Sequence, residues 1–427
     1  MYMPKKVSLI LTLIVILALV GGVWFWFAYI HTPASESPTT EESRGGFFSF
    51  FGNYFGGSGE PGTQTPTNET PEVLAPAFSF RERLTKERML SLSDVPLSGT
   101  TFALMRKGTT TPALFDEQVR FVERETGHVV DLSITTGDTE RISNTTIPGI
   151  QETIWGNGGN TVALRYLAED SETIETFVGT LPTTTPVMNT DLVGTFFPQN
   201  ITSLAMRPTN GEVFYVIKNQ DGAAGRITNV AGTNTRTLFS SPLREWAALW
   251  TSPLITLTTK PSARATGSAH SLNPSTGALV RLTPNTSGLT VLMNTEQTRV
   301  LYTNTTPSTV SLFILNLTTQ ETWTVPLRTL PEKCVWRDET NLICAVPDNV
   351  PGNMPDIWYQ GRVSLSDTLW AIDTETKLVD FLISPEEIIG EGVDAIGLSL
   401  SSDGTILSFI NKKDLRGWIA DVTSTNN

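Results

Sequence analysis

Two cysteines and three histidines in 427 residues leave little material for metal or nucleophile chemistry. A zinc site draws three or four ligands from His, Cys and carboxylates, and His31, His128 and His270 are widely separated. No metal site is expected. A serine-type triad would need His128 or His270 as its base, and His128 follows Glu125-Thr126-Gly127 in what reads as a hairpin turn, where a solvated imidazole is the default. The patterns HExxH, GxSxG and GxxxxGK[ST] do not occur. GNGGN at 156–160 runs into the strand-like TVALRYL, whereas a dinucleotide fingerprint opens a helix. The sequence therefore offers no catalytic residue and no cofactor site.

Positive charge is also in short supply. Thirty Lys and Arg stand against 43 Asp and Glu, a net charge of −13, and charged residues make up only 17% of the chain. An acidic exterior repels phosphates, so nucleic acid is excluded as the expected partner. Past residue 99 long helical periodicity is missing too. What remains is 39% hydrophobic residues, enough for one large repeat fold or two average domains.

The N-terminal part stands apart. A run of 24 residues without charge begins at Val7 and ends at Ile30, longer than the roughly 20 that cross a bilayer core. Lys5 and Lys6 precede it, and Trp24, Trp26 and Tyr29 lie at its far end. This pattern predicts a single-pass anchor with a cytoplasmic N-terminus and an exported remainder. A cleaved signal peptide is the rival, although its apolar region is ordinarily about 7–15 residues. Residues 31–80 are rich in Pro, Thr, Ser, Gly and Glu and read as a flexible stalk. Within it GGFFSFFGNYFGGSG, at 45–59, interleaves aromatics with glycine as a sticky spot or an interfacial contact. RERLTKERMLSL, at 81–92, has helical composition and leads into the folded part at 99–423.

Beyond the lead-in, strands rich in Thr, Val, Ile, Leu and Trp alternate with turn signals. One unit, VDAIGLSLSSDGTILSFINKKDLRGWIADV, has a strand, the turn Ser401-Ser402-Asp403-Gly404, a second strand and a third around Trp418. Related turns recur at 156–160, 208–211, 251–253, 294–297 and 337–341, and a second kind recurs as NPSTG, NLTTQ and DTETK. The spacing suits blades of roughly 40–50 residues. MRPTNGEVFYVI, LSLSSDGTILSFI and LWAIDTETKLVDFL resemble the WD-repeat-like and TolB-like β-propellers, with the turn prolines and aspartates mostly replaced. That resemblance implies an all-β propeller and little about activity. Seven blades are favoured, at 119–150, 151–198, 199–242, 243–287, 288–331, 332–392 and 393–422, with six or eight still open. The last unit shows three strands, and TFALM, from Thr101 to Met105, is expected to supply its fourth and close the ring.

Cys334 and Cys344 bracket CVWRDETNLIC. A five-residue loop sets them opposite each other within bonding reach; a four-residue loop sends them to opposite faces, as packed thiols. Residues 346–367, VPDNVPGNMPDIWYQGRVSLSD, interrupt the sixth unit. Trp358, Tyr359 and Arg362, with Asp348 and Asp356, are the candidate binding residues, because aromatic and guanidinium groups give rigid contact area for a protein or glycan. The bland alternative is an ordered loop whose aromatics plug one end of the ring. The expectation is a membrane-anchored extracytoplasmic propeller that binds or scaffolds another envelope component. An exported hydrolase or lyase acting on glycan or peptide is the alternative, and it needs a carboxylate pair such as Asp348 and Asp356.

Overall fold

The computed structural model describes residues 79–107, 114–181, 191–251 and 253–423. The expected membrane segment, the aromatic stretch at 45–59 and all of the expected stalk but its last two residues lie outside them. Among the described residues no helix is long and apolar enough to cross a membrane.

These residues form seven four-stranded antiparallel sheets, the blades of a propeller. Six are continuous in sequence, at 97–141, 150–196, 201–241, 246–281, 291–325 and 334–383. The seventh joins Ala395–Leu400, Ile406–Asn411 and Gly417–Asp421 to the strand Met89–Ser91. Met89 lies opposite Ala420, Leu90 opposite Ile419 and Ser91 opposite Trp418. The ring is thus closed by an N-terminal strand on the last blade, which leaves no blade with a missing strand.

A different strand from TFALM performs that closure. Thr101 to Met105 belong to Leu97–Lys107, the first strand of blade 1, whose partner is Leu114–Glu123. They still neighbour blade 7, and the Thr100 and Ser408 hydroxyls lie 3.2 Å apart. The closing strand instead comes from the stretch read as helical. Helix α1, Phe80–Glu87, starts with a reciprocal Ser79–Glu82 capping box and stops where Arg88 turns left-handed at φ 67°. Three residues then suffice for the strand.

Seven apolar cores sit between neighbouring blades, one at each interface. At the seam, Leu84 and Leu90 join Val119 and Phe121 of blade 1 and Ile406 and Ile419 of blade 7. Burial of such side chains contributes about 1.5–3 kcal/mol each. The recurring NPSTG-type turns share one geometry. Asn273, Asn316 and Asp373 each accept two backbone N–H bonds through Oδ1, and Gly277, Gln320 and Lys377 each follow with positive φ. In blade 6 Cys334 pairs with Cys344, Val335 with Ile343 and Trp336 with Leu342. That is the five-residue-loop register, and the two sulfurs are joined.

Candidate functional site

Antiparallel strands reverse at every turn, so in each blade the link between second and third strands lies on the same face as the link to the next blade. That face carries residues 260–268 of blade 4, 306–309 of blade 5, 348–366 of blade 6 and 412–416 of blade 7. It also carries the inter-blade segments 326–333 and 384–394. Helix α1 precedes an outermost strand and therefore lies on the opposite face. There Arg81 meets Asp403, in the first turn of blade 7, at 2.7 Å.

Residues 348–366 are tied down along their length. The Asp348 N–H donates to the Ser366 carbonyl at 2.9 Å, and the Asn353 N–H donates to Pro307 O of blade 5 at 2.9 Å. Asp356 Oδ2 accepts the Ala263 N–H of blade 4 at 2.7 Å. Burial opposes ionisation of Asp356, yet the Ala263 N–H and the Ser262 hydroxyl hold its carboxyl below the usual range. The loop so reaches from blade 6 across two neighbours.

A short helix, α2 (Asp356–Tyr359), sits in the middle of the loop. Trp358 is only 4% exposed and packs with Val310, Leu330, Met354 and Leu365. Its indole N–H reaches both Asp394 oxygens, at 3.1 and 3.0 Å. The Lys412 ammonium lies 4.0 Å from the ring centroid and also donates to the Trp358 carbonyl; the Lys333 ammonium lies 5.1 Å from the ring. Contacts of this kind stabilise by about 0.5–2 kcal/mol, depending on desolvation.

Behind the indole is a wholly buried charge cluster. Lys333 Nζ is 2.7 Å from Asp394 Oδ1, 2.8 Å from Asp367 Oδ2 and 2.9 Å from the Ala395 carbonyl. Three acceptors match the three ammonium protons. Asp394 accepts the Leu365 N–H at 3.0 Å, and Asp367 Oδ2 accepts the Ala395 N–H at 2.7 Å. Asp367 Oδ1 is buried without a hydrogen-bond partner among the described residues. Burial pushes the Asp367 carboxyl up to about 6 even though Lys333 pulls it down. The cluster joins blade 6, blade 7 and the loop into one unit.

The five candidate residues divide accordingly. Trp358 faces inward, so the contact surface expected of it is absent, and the ring serves to hold the loop. Tyr359 keeps 42% of its surface exposed while its hydroxyl donates to the Glu332 carboxylate. Burial and the nearby Glu332 carboxylate push the tyrosine hydroxyl well above its ordinary range. Arg362 and Asp348 are exposed. Asp356 is committed to the Ser262–Ala263 turn. Sequence reading missed Lys333, Asp394, Lys412 and Glu332. The available signal was a lone charge set in apolar surroundings, as in GVDAIGL around Asp394; Lys333, beside Glu332 in TLPEKCVW, carried no such mark.

No family model matches the sequence, and no curated protein matches it. Solved structures do resemble the fold, two of the following three being described as β-propeller domains. The β-propeller domain of the Trilobed protease from Pyrococcus furiosus, described as having an open velcro topology, aligns at TM-score 0.47 and 11% identity. That alignment covers 79% of this chain and 98% of the other. An oligogalacturonate lyase from Vibrio parahaemolyticus aligns at 0.48 and 7%, over 79% of this chain and 94% of the lyase. The Cps50 (Swd1) β-propeller domain of Myceliophteria thermophila aligns at 0.47 and 10%, over 78% and 100%. At such identities no residue role carries across.

Proposed function

We propose that the chain is a binding module whose loop face recognises a protein or cell-envelope glycan, with Tyr359, Arg362 and Asp348 at the contact. The observation that carries this reading is the latch formed by Trp358, Asp394 and Lys333. It removes one aromatic from the surface and so fixes the backbone that holds Tyr359 and Arg362 outward. Preorganised contact groups lose little freedom on binding, which favours affinity. Anchoring in a membrane, with the propeller on its extracytoplasmic side, belongs to the same proposal and is supported by the apolar run and its flanking lysines.

The enzymatic alternative needs two carboxylates facing one another across an open pocket. Asp356 is engaged with blade 4, and Asp367 and Asp394 are sealed around Lys333. Binding is the better supported use of this face. A photo-crosslinking residue placed at Arg362 of the full-length chain, compared with one at Thr374 on the opposite face, tests the reading. A partner adduct at 362 that disappears on Tyr359→Ala supports it. Equal adducts at both positions, or adducts at 374 alone, overturn it.

A further inference from the structure

The cluster of Lys333, Asp367 and Asp394 holds an amine against two carboxyls with water excluded. All three side chains are wholly buried, and Lys333 Nζ touches one oxygen of each acid, Asp367 Oδ2 at 2.8 Å and Asp394 Oδ1 at 2.7 Å. The two acids are not equivalent. Asp394 is held by the Trp358 indole N–H on both oxygens and by the Leu365 N–H, which fix it with Oδ1 toward Nζ. On Asp367 only Oδ2 is engaged, where it accepts the Ala395 N–H at 2.7 Å; Oδ1 is buried with no hydrogen-bond partner among the described residues. Buried carboxyl oxygens are ordinarily satisfied. A carboxyl with a donor on one oxygen and nothing on the other is arranged to keep the first as a carbonyl and to lose the second.

We infer that Lys333 Nζ and Asp367 Cγ join in an isopeptide bond that the chain forms on itself, with Asp394 as the base. A proton passes from the Lys333 ammonium to Asp394, and the amine lone pair then forms the N–C bond at Cγ of the protonated Asp367. The Ala395 N–H stabilises the charge that develops on Oδ2. A second Nζ proton and the hydroxyl at Oδ1 leave together as water, so the product is a neutral amide beside a protonated Asp394. No oxidant or co-reactant is consumed. A dry interior favours the neutral amine and acid over their charged forms. Burial raises the Asp367 carboxyl to about 6, so part of it carries its proton at neutral pH. Reactants fixed in this way reach effective concentrations on the order of 10⁵ M, and the water that would reverse the step is excluded. The reactants stand unjoined in the structure, and chain in that state keeps Asp367 as a titrating carboxyl. Once formed, the bond ties the turn Pro331–Lys333 to the strand Asp367–Asp373 beneath Trp358.

The test is a peptide map of the full-length folded chain, aged at neutral pH, then unfolded, reduced and cut with trypsin. Linked chain is expected to resist cleavage after Lys333 and to yield 329–337 joined to 363–377, one water lighter than the two together. Full recovery of peptides ending at Lys333, with 363–377 free, would overturn the inference. So would 329–337 joined instead to 378–412, which carries Asp394. Asp394→Asn keeps an acceptor for the indole and removes the base, and its linked fraction should fall at least tenfold. An Asp394→Asn chain that stays folded by near-ultraviolet circular dichroism yet links as fully would overturn the mechanism. Asp367→Ala should give no link. The unsubstituted chain reads the bond whether or not either variant folds, and no partner enters the measurement, so its outcome is independent of the adduct at 362.

Discussion

The indole N–H of Trp358 lies within 3.1 Å of both carboxylate oxygens of Asp394, joining residues 36 positions apart in the chain. Asp394 is in turn held by Lys333 from a third segment. A loop bonded at its rim to blades 4 and 5 is fastened at its middle by one aromatic side chain and one buried acid.

Replacing the indole by phenyl keeps the apolar packing and removes the donor. Trp358→Phe is therefore expected to destabilise the fold by about 1–3 kcal/mol, the range for a buried acceptor that loses its partner. Urea denaturation measures this directly. Protease cleavage within 348–366 should rise in parallel, because the loop loses its fastening.

Lys333 neutralises two buried carboxylates, so its loss is expected to be worse. Lys333→Met should cost about 3–5 kcal/mol, the penalty for leaving buried charge uncompensated. Lys412→Met removes a half-buried cation that faces the same indole, and about 1 kcal/mol or less is expected. A comparison of denaturation midpoints distinguishes the two lysines.

The cluster also carries a pH signature. The Asp367 carboxyl is raised from 3.8 to about 6 by burial. Between roughly pH 4 and 6 the folded chain holds this proton and the unfolded chain does not, so the group's contribution to stability falls as pH rises through that window. Full penalty is reached above pH 6, on the order of 3 kcal/mol. Asp367→Asn should flatten the fall between pH 4.5 and 7 in chemical denaturation, and an unchanged slope would contradict the assignment. Carboxyls held below their ordinary range, such as Asp338 and Asp170, act in the opposite sense and only at lower pH.

Much of the fold was readable because its signals are local. The turns NPSTG, NLTTQ and DTETK proved to be one structure, an Asx turn closed by a left-handed residue, and they marked the outer hairpins of blades 4, 5 and 6 correctly. Blades 3 to 6 and the three C-terminal strands of blade 7 fall within the expected spans for the same reason, and blade 2 begins one residue before its own. The closing strand was not legible: Met89–Ser91 is three residues long, it follows a helix in a helix-favouring stretch, and its partner is at the far end of the chain. The loop residues could be picked out by composition, but not their orientation. Nothing near Trp358 in sequence reveals that Asp394 and Lys333 meet it, so composition leaves open whether the ring faces a partner or packs under the loop.

The same turn offers a gain in stability. Lys377 adopts φ 62°, a conformation that glycine reaches without a Cβ clash. Lys377→Gly should raise stability by about 0.5–1 kcal/mol, after allowance for the extra freedom of glycine in the unfolded chain. A lower midpoint would argue that the lysine stem makes a packing contribution larger than the backbone strain.

The closure of the ring by Met89–Ser91 places helix α1 opposite the loop face, and everything said of that face depends on it. Cysteines introduced at Met89 and Ala420, directly opposite in the seam, should bond on mild oxidation, since facing residues of antiparallel strands lie within disulfide reach. A parallel pair at Ala103 and Ala420 tests the competing strand. Peptide mapping that finds the 89–420 bond and no 103–420 bond agrees with the ring described. Finding the 103–420 bond instead would contradict it.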